Sequence, residues 1–123
     1  MLRAPPIPVV LVVEADPDMR GAMAEALRAD GYEVALAINC QEALRVMEHL
    51  DTPCLMLLDF SPFTLGGGDF LARLRADAAR AAVPVIALAG EPGPAPLGVT
   101  VTLRKPVRLQ ALLSAVATHR KPR

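Results

Sequence analysis

The chain is a succession of short apolar runs, each the length of a β-strand, and most are followed by a stretch of helical period. The first run, VVLVV (Val9 to Val13), is β-branched and unbroken. A strand with one wet face alternates apolar and polar residues, so an unbroken run points to a strand covered on both faces. Asp16-Pro17 follows, a helix N-cap with a proline at the first helical position. Met19, Ala22, Met23, Ala26 and Leu27 then recur at helical spacing, and Gly31 supplies the stop. The unit repeats. YEVALA (Tyr32 to Ala37) predicts a second strand, and Asn39 with Glu42 predicts the cap of a second helix that turns Ala43, Leu44 and Met47 inward. CLMLLD (Cys54 to Asp59) is the third strand, and a third helix is expected from about Asp69 to Ala78 with Phe70, Leu71 and Leu74 inward. VPVIALA (Val83 to Ala89) and VTVTL (Val99 to Leu103) predict strands four and five, and Leu109, Leu112, Leu113 and Val116 mark the inner face of a last helix. Such alternation predicts an α/β domain, a five-stranded parallel sheet with helices on both sides. One connection breaks the rhythm. In GEPGPAPLG (Gly90 to Gly98), Pro92, Pro94 and Pro96 remove backbone donors, so a helix between strands four and five is expected to be missing or shortened.

At 123 residues and 53% hydrophobic, the chain fits one domain, read as residues 8–119 between an N-terminal leader (1–7) and a basic tail (120–123). Thirteen basic and thirteen acidic residues give no net charge, so nothing draws the chain to nucleic acid. The opening MLRAPPIPVVLVVE is broken by Pro5, Pro6, Pro8 and Glu14, too interrupted for a signal peptide and too short to cross a bilayer. A soluble, cytoplasmic protein with no membrane partner is the expectation. Cys40 and Cys54 lack metal-ligand or CxxC spacing and sit in apolar segments, so buried free thiols are expected. Gly66, Gly67 and Gly68 match no nucleotide-binding fingerprint.

In an open parallel sheet, ligands and chemistry gather outside the carboxyl ends of the strands. The residues at those ends are Glu14 and Asp16 after strand one, Asp59 closing strand three, Ala89 and Gly90 after strand four, and Lys105 after strand five. Carboxylates from two strands would meet one ammonium there. Such a cluster can hold a hard divalent cation through oxygen and present a positive charge to a phosphoryl group.

These residues resemble the receiver domains of two-component response regulators over about 8 to 119. The anchors are VVEADPDMR, LMLLDFSP, Gly67 with DFLARLR, VPVIALAG, and Lys105-Pro106. The resemblance implies a flavodoxin-like doubly wound sheet of order 2-1-3-4-5, with Asp59 as phospho-acceptor and Lys105 touching the phosphoryl oxygens. It implies a magnesium site drawn from Glu14, Asp59 and the backbone carbonyl of Ser61, with Asp16 as a further candidate ligand. Departures accompany the matches. Ala15 stands where the family carries the acid that ligates Mg²⁺ directly, which weakens any such site. Ala89 replaces the switch hydroxyl, Thr102 takes the place of the aromatic switch residue, and Pro62 comes one residue early.

Three functions follow. The first is a receiver in a two-component phosphorelay, not an enzyme, that accepts a phosphoryl group on Asp59 from a sensor histidine kinase or phosphotransfer protein. Its metal site is impaired, and its output passes to a downstream protein partner. The second is a pseudo-receiver that binds proteins without being phosphorylated. The third, a small phosphatase or flavin protein on a similar sheet, is disfavoured because VVEADP supplies Glu14 where a haloacid-dehalogenase-type nucleophile would be Asp, and an acidic loop would repel a flavin phosphate.

Overall fold

In a computed structural model of the chain, residues 7–50, 52–60, 67–90 and 98–121 are described. The elements run β1 (Val9–Val13), α1 (Pro17–Ala29), β2 (Glu33–Ala37), α2 (Cys40–Glu48), β3 (Leu55–Asp59), α3 (Gly67–Ala76), β4 (Val85–Ala89), β5 (Val101–Arg104) and α4 (Leu109–His119). The strands form one sheet in the order β2-β1-β3-β4-β5, and every pairing is parallel. This is the flavodoxin-like arrangement. Among the described residues no helix lies between β4 and β5, while residues 91–97 of the proline-rich connection lie outside them.

Two apolar layers cover the sheet. On one face, Leu11, Val13, Met56, Leu58 and Val85 pack with Ala43 and Met47 of α2 and Phe70, Leu71 and Leu74 of α3. On the other, Val10, Val12, Leu55, Leu57, Ile86 and Leu88 pack with Met23 and Leu27 of α1 and Leu112 and Val116 of α4. Successive residues of a strand point to opposite faces, so an unbroken apolar run feeds both layers at once. Cys40 and Cys54 are both buried, as their apolar segments predict.

The helix ends follow from local chemistry. Asp16 is the N-cap of α1, its side chain accepting the Asp18 N–H, and Pro17 opens the first turn. Past the end of α1, Gly31 has φ +96°, a conformation that a Cβ disfavours. At α2, Asn39 Oδ1 accepts the Glu42 N–H at 2.8 Å, a donor of the first turn that the helix leaves over, and Glu42 Oε1 reaches back to accept the N–H of Ile38, the residue before the cap, at 3.0 Å. Two expectations need correction. Helix α3 begins and ends two residues earlier than its apolar spacing suggests, and Leu109, placed on the inner stripe of α4, is 41% exposed.

Arg75, near the end of α3, joins three separate segments. Its Nη1 donates to the Ala81 and Val83 carbonyls at 2.9 and 2.7 Å, and its Nε donates to the Gly98 carbonyl at 3.0 Å. Burial of the guanidinium lowers its pKa from the usual value. Gly98 has φ +91°, and a Cβ built there would lie 3.4 Å from Arg75 Cγ. The clamp fixes both the approach to β4 and the return into β5. Arg75→Ala leaves several carbonyls without their donor and should destabilise the fold by about 2–4 kcal/mol, seen as a lower urea midpoint. Arg75→Lys should recover only part of the loss, because one ammonium cannot reproduce a planar fork.

Candidate functional site

The alternation that builds the core also builds the site. The residues facing the α1 and α4 layer are Val10 and Val12 in β1, Leu55 and Leu57 in β3, and Val101 and Leu103 in β5. One further step of two residues along each strand reaches Glu14, Asp59 and Lys105. On three strands, therefore, an apolar row ends in a charge on the same side of the sheet. Each end is tied to a neighbouring strand by a backbone hydrogen bond. The Glu14 N–H donates to the Ala37 carbonyl, that of Phe60 to Leu88, and that of Lys105 to Ala89, each at 2.9 Å.

Lys105 and Asp59 meet. The Lys105 Nζ lies 2.6 Å from Asp59 Oδ1, a charge-assisted hydrogen bond that spans the end of β4 from β5 to β3. The Asp59 side chain is 14% exposed and that of Lys105 is 31% exposed, so the pair is shielded yet open to an approaching group. The peptide bond between Lys105 and Pro106 is cis.

Glu14 completes the cluster. It is the one polar or charged residue among the described residues that is buried, at 3% exposure. Its Oε2 accepts the Asp16 N–H at 3.2 Å, while Oε1 has no hydrogen-bond partner among the described residues. Burial raises the Glu14 carboxyl above its ordinary value of 4.5, and the Asp16 N–H works against that shift. The neighbouring Asp59 carboxylate adds to the rise and the Lys105 ammonium opposes it. Two carboxylates face each other there as acceptors, and a hydrogen bond between them needs a proton on one.

The other candidates lie differently. Asp16 is exposed, and its Oδ1 accepts the Asp18 N–H at 2.9 Å, the capping role. Ala89 closes β4 with a methyl group, and Thr102 is exposed on the edge strand β5. Ser61 and Pro62 lie outside the described residues. Arg20 was not anticipated from sequence. Its Nη1 donates to the Glu14 carbonyl at 2.9 Å and the Ala15 carbonyl at 3.2 Å, which holds the β1–α1 turn in place. An arginine on the first turns of a helix carries no sequence signal for such a bond.

Mg²⁺ asks for converging oxygen ligands. Glu14 and Asp59 converge, but Asp59 Oδ1 is engaged by Lys105, residue 15 contributes a methyl group, and Asp16 is occupied as a cap. Among the described residues no three His, Cys, Asp or Glu side chains come together to hold a metal ion. These residues do not fit a dedicated magnesium cage. What the cluster offers is a carboxylate nucleophile beside an ammonium, backed by a buried carboxyl group.

The raised Glu14 pKa has a stability consequence. The folded state binds this proton more tightly than the unfolded chain, so the Glu14 contribution is full below pH 4.5 and is lost as pH rises through the raised value. Ionised Glu14 is therefore a cost at neutral pH. Glu14→Gln keeps an oxygen for the Asp16 N–H and can donate to Asp59. It should raise the melting temperature at pH 7 in chelator-treated buffer, with a gain that shrinks as pH approaches 4.5.

Residues 10–117 match the response regulator receiver domain family. Among solved structures, the chemotaxis response regulator CheY4 of Vibrio cholerae superposes with a TM-score of 0.82 at 24% identity, covering 92% of this chain and 98% of that one. The receiver domain of a sensor histidine kinase from Pseudomonas aeruginosa, solved with a magnesium ion coordinated in its active-site cleft, gives 0.81 at 24% identity over 93% and 98%. A signal receiver domain of a histidine kinase from Syntrophus aciditrophicus gives 0.78 at 24% identity over 90% and 88%. None of the curated proteins matches the chain.

Proposed function

Because this chain belongs to the response regulator receiver domain family, we propose that it is a two-component signalling receiver in which Asp59 accepts a phosphoryl group. The donor in this reading is a phosphohistidine on a partner sensor histidine kinase or phosphotransfer protein. The observation that carries the proposal is the 2.6 Å pair of Lys105 Nζ and Asp59 Oδ1 at the carboxyl end of the sheet. A carboxylate oxygen of Asp59 attacks phosphorus, the P–N bond to the imidazole breaks, and an acyl phosphate forms. The Lys105 ammonium, already beside Asp59, then neutralises part of the phosphoryl charge. Water later attacks the phosphorus, the bond from phosphorus to the Asp59 oxygen breaks, and inorganic phosphate leaves as the carboxylate is restored. The chain so acts as a reversible signalling module and not as an enzyme.

Several features temper this chemistry. The magnesium named for the Pseudomonas aeruginosa domain would supply charge neutralisation and orientation, yet Ala15 and the capping role of Asp16 leave this chain with an impaired site. Ala89 has no hydroxyl for the phosphoryl group, and Thr102 is too small to act as a two-state ring. These same residues favour the second reading, a pseudo-receiver that recognises proteins without being phosphorylated. In both readings the output passes to a downstream protein partner in the cytoplasm. Balanced charge gives no attraction to nucleic acid, and no helix among the described residues is long and apolar enough to cross a membrane.

Intact mass after incubation with acetyl phosphate or phosphoramidate, with and without Mg²⁺, separates the two. The proposed function predicts the gain of one phosphoryl group in the native chain, slowly, and none in Asp59→Asn. Lys105→Ala should slow the gain by about 10²-fold, the usual loss when a charge-stabilising donor is removed. No adduct under any condition would assign the chain to phosphorylation-independent binding.

A further inference from the structure

We infer that the acidic pocket holds no divalent cation at rest, that Lys105 is its countercharge, and that the missing carboxylate at residue 15 is the cause. The inference concerns the pocket alone and stands whether or not Asp59 accepts a phosphoryl group. Two carboxylates and one ammonium leave the cluster with a single formal negative charge. A hard divalent cation gains affinity from each further carboxylate that reaches it, and here the Asp59 oxygen nearest the cluster's positive charge is already bonded to Lys105 at 2.6 Å. A cation entering the pocket would have to compete with that ammonium or displace it.

Two residues could restore the lost ligand, and the structure distinguishes them. Asp16 has the charge but not the freedom, because its Oδ1 bonds the Asp18 N–H and caps α1. Turning it inward would give up the cap. Residue 15 has the position but not the charge. It directly follows buried Glu14, it is exposed, and its carbonyl is fixed by Arg20 Nη1 at 3.2 Å, so a longer side chain there meets no core packing. A carboxylate at residue 15 would bring the formal charge of the cluster to minus two.

The test is a titration of the full chain with MgCl2 into the millimolar range, with no phosphoryl donor present. It follows the backbone amides of residues 14–16, 59, 60 and 105 by two-dimensional NMR. The native chain should show no saturating shift, and Ala15→Asp should show saturable binding at least about tenfold tighter, the effect of one further charge close to the ion. Saturable binding by the native chain would overturn the inference. Loss of such binding in Asp16→Asn would then name Asp16 as the ligand. An Ala15→Asp chain with a dispersed, folded spectrum that still fails to bind would overturn the assignment of the cause to residue 15. Because no donor is present, a failure of phosphorylation in the mass experiment leaves these outcomes unaffected.

Discussion

A parallel sheet buried on both faces leaves charge nowhere to go except the strand ends. Strands β1, β3 and β4 are apolar and buried along almost their whole length, and an isolated carboxylate within them would be a large desolvation cost. At the carboxyl ends the cost falls, because water is near and a partner from the next strand can arrive. The Asp59–Lys105 bond is that solution. It joins β3 to β5 across β4, so its geometry depends on all three strands keeping register. The backbone bonds of Phe60 to Leu88 and Lys105 to Ala89 are the last links of that register. Site and core are thus one construction, and a slip of one residue in either strand would turn the charge to the opposite face.

What the sequence revealed, and what it hid, follows from the range of each signal. The β1 boundaries, the Asp16 cap, the Asn39 and Glu42 pair and the Gly31 stop are local, and each is written within a few residues. The convergence of Glu14, Asp59 and Lys105 was legible because parallel strands put their carboxyl ends on one edge. The misses are nonlocal. Periodicity assigns Leu109 to the stripe of Leu112 and Val116 but does not say how far the covering layer extends, and it stops short of Leu109. Arg75 and Arg20 act through backbone carbonyls, which every residue possesses. No residue pattern marks a carbonyl as the partner of a distant guanidinium.

Asp16 shows why a residue type at the right place is not yet a ligand. Sequence put an acid one step past the position a metal would use, and both capping and ligation suited it. The structure shows the first, with the carboxylate turned to the Asp18 N–H. N-capping contributes about 1 kcal/mol to a helix. For the same carboxylate to ligate a cation, the binding energy would have to exceed that contribution and the cost of moving Lys105 away from Asp59.

Glu14 is then the residue on which the charge balance turns. At rest, two carboxylates and Lys105 sum to minus one when Glu14 is ionised, and to zero when it carries a proton. Under the proposed function, an acyl phosphate on Asp59 replaces one negative charge with about two. A pocket with a resident divalent cation could absorb that change. In this chain the Lys105 ammonium lies beside Asp59, and burial raises the pKa of the neighbouring Glu14 carboxyl. A protonated Glu14 is also a donor, the role its unpartnered Oε1 lacks at rest. Residue 15 brings no carboxylate to the strand ends, so the Lys105 ammonium, bonded to Asp59 across the end of β4, is the cation that stands nearest to any charge added there.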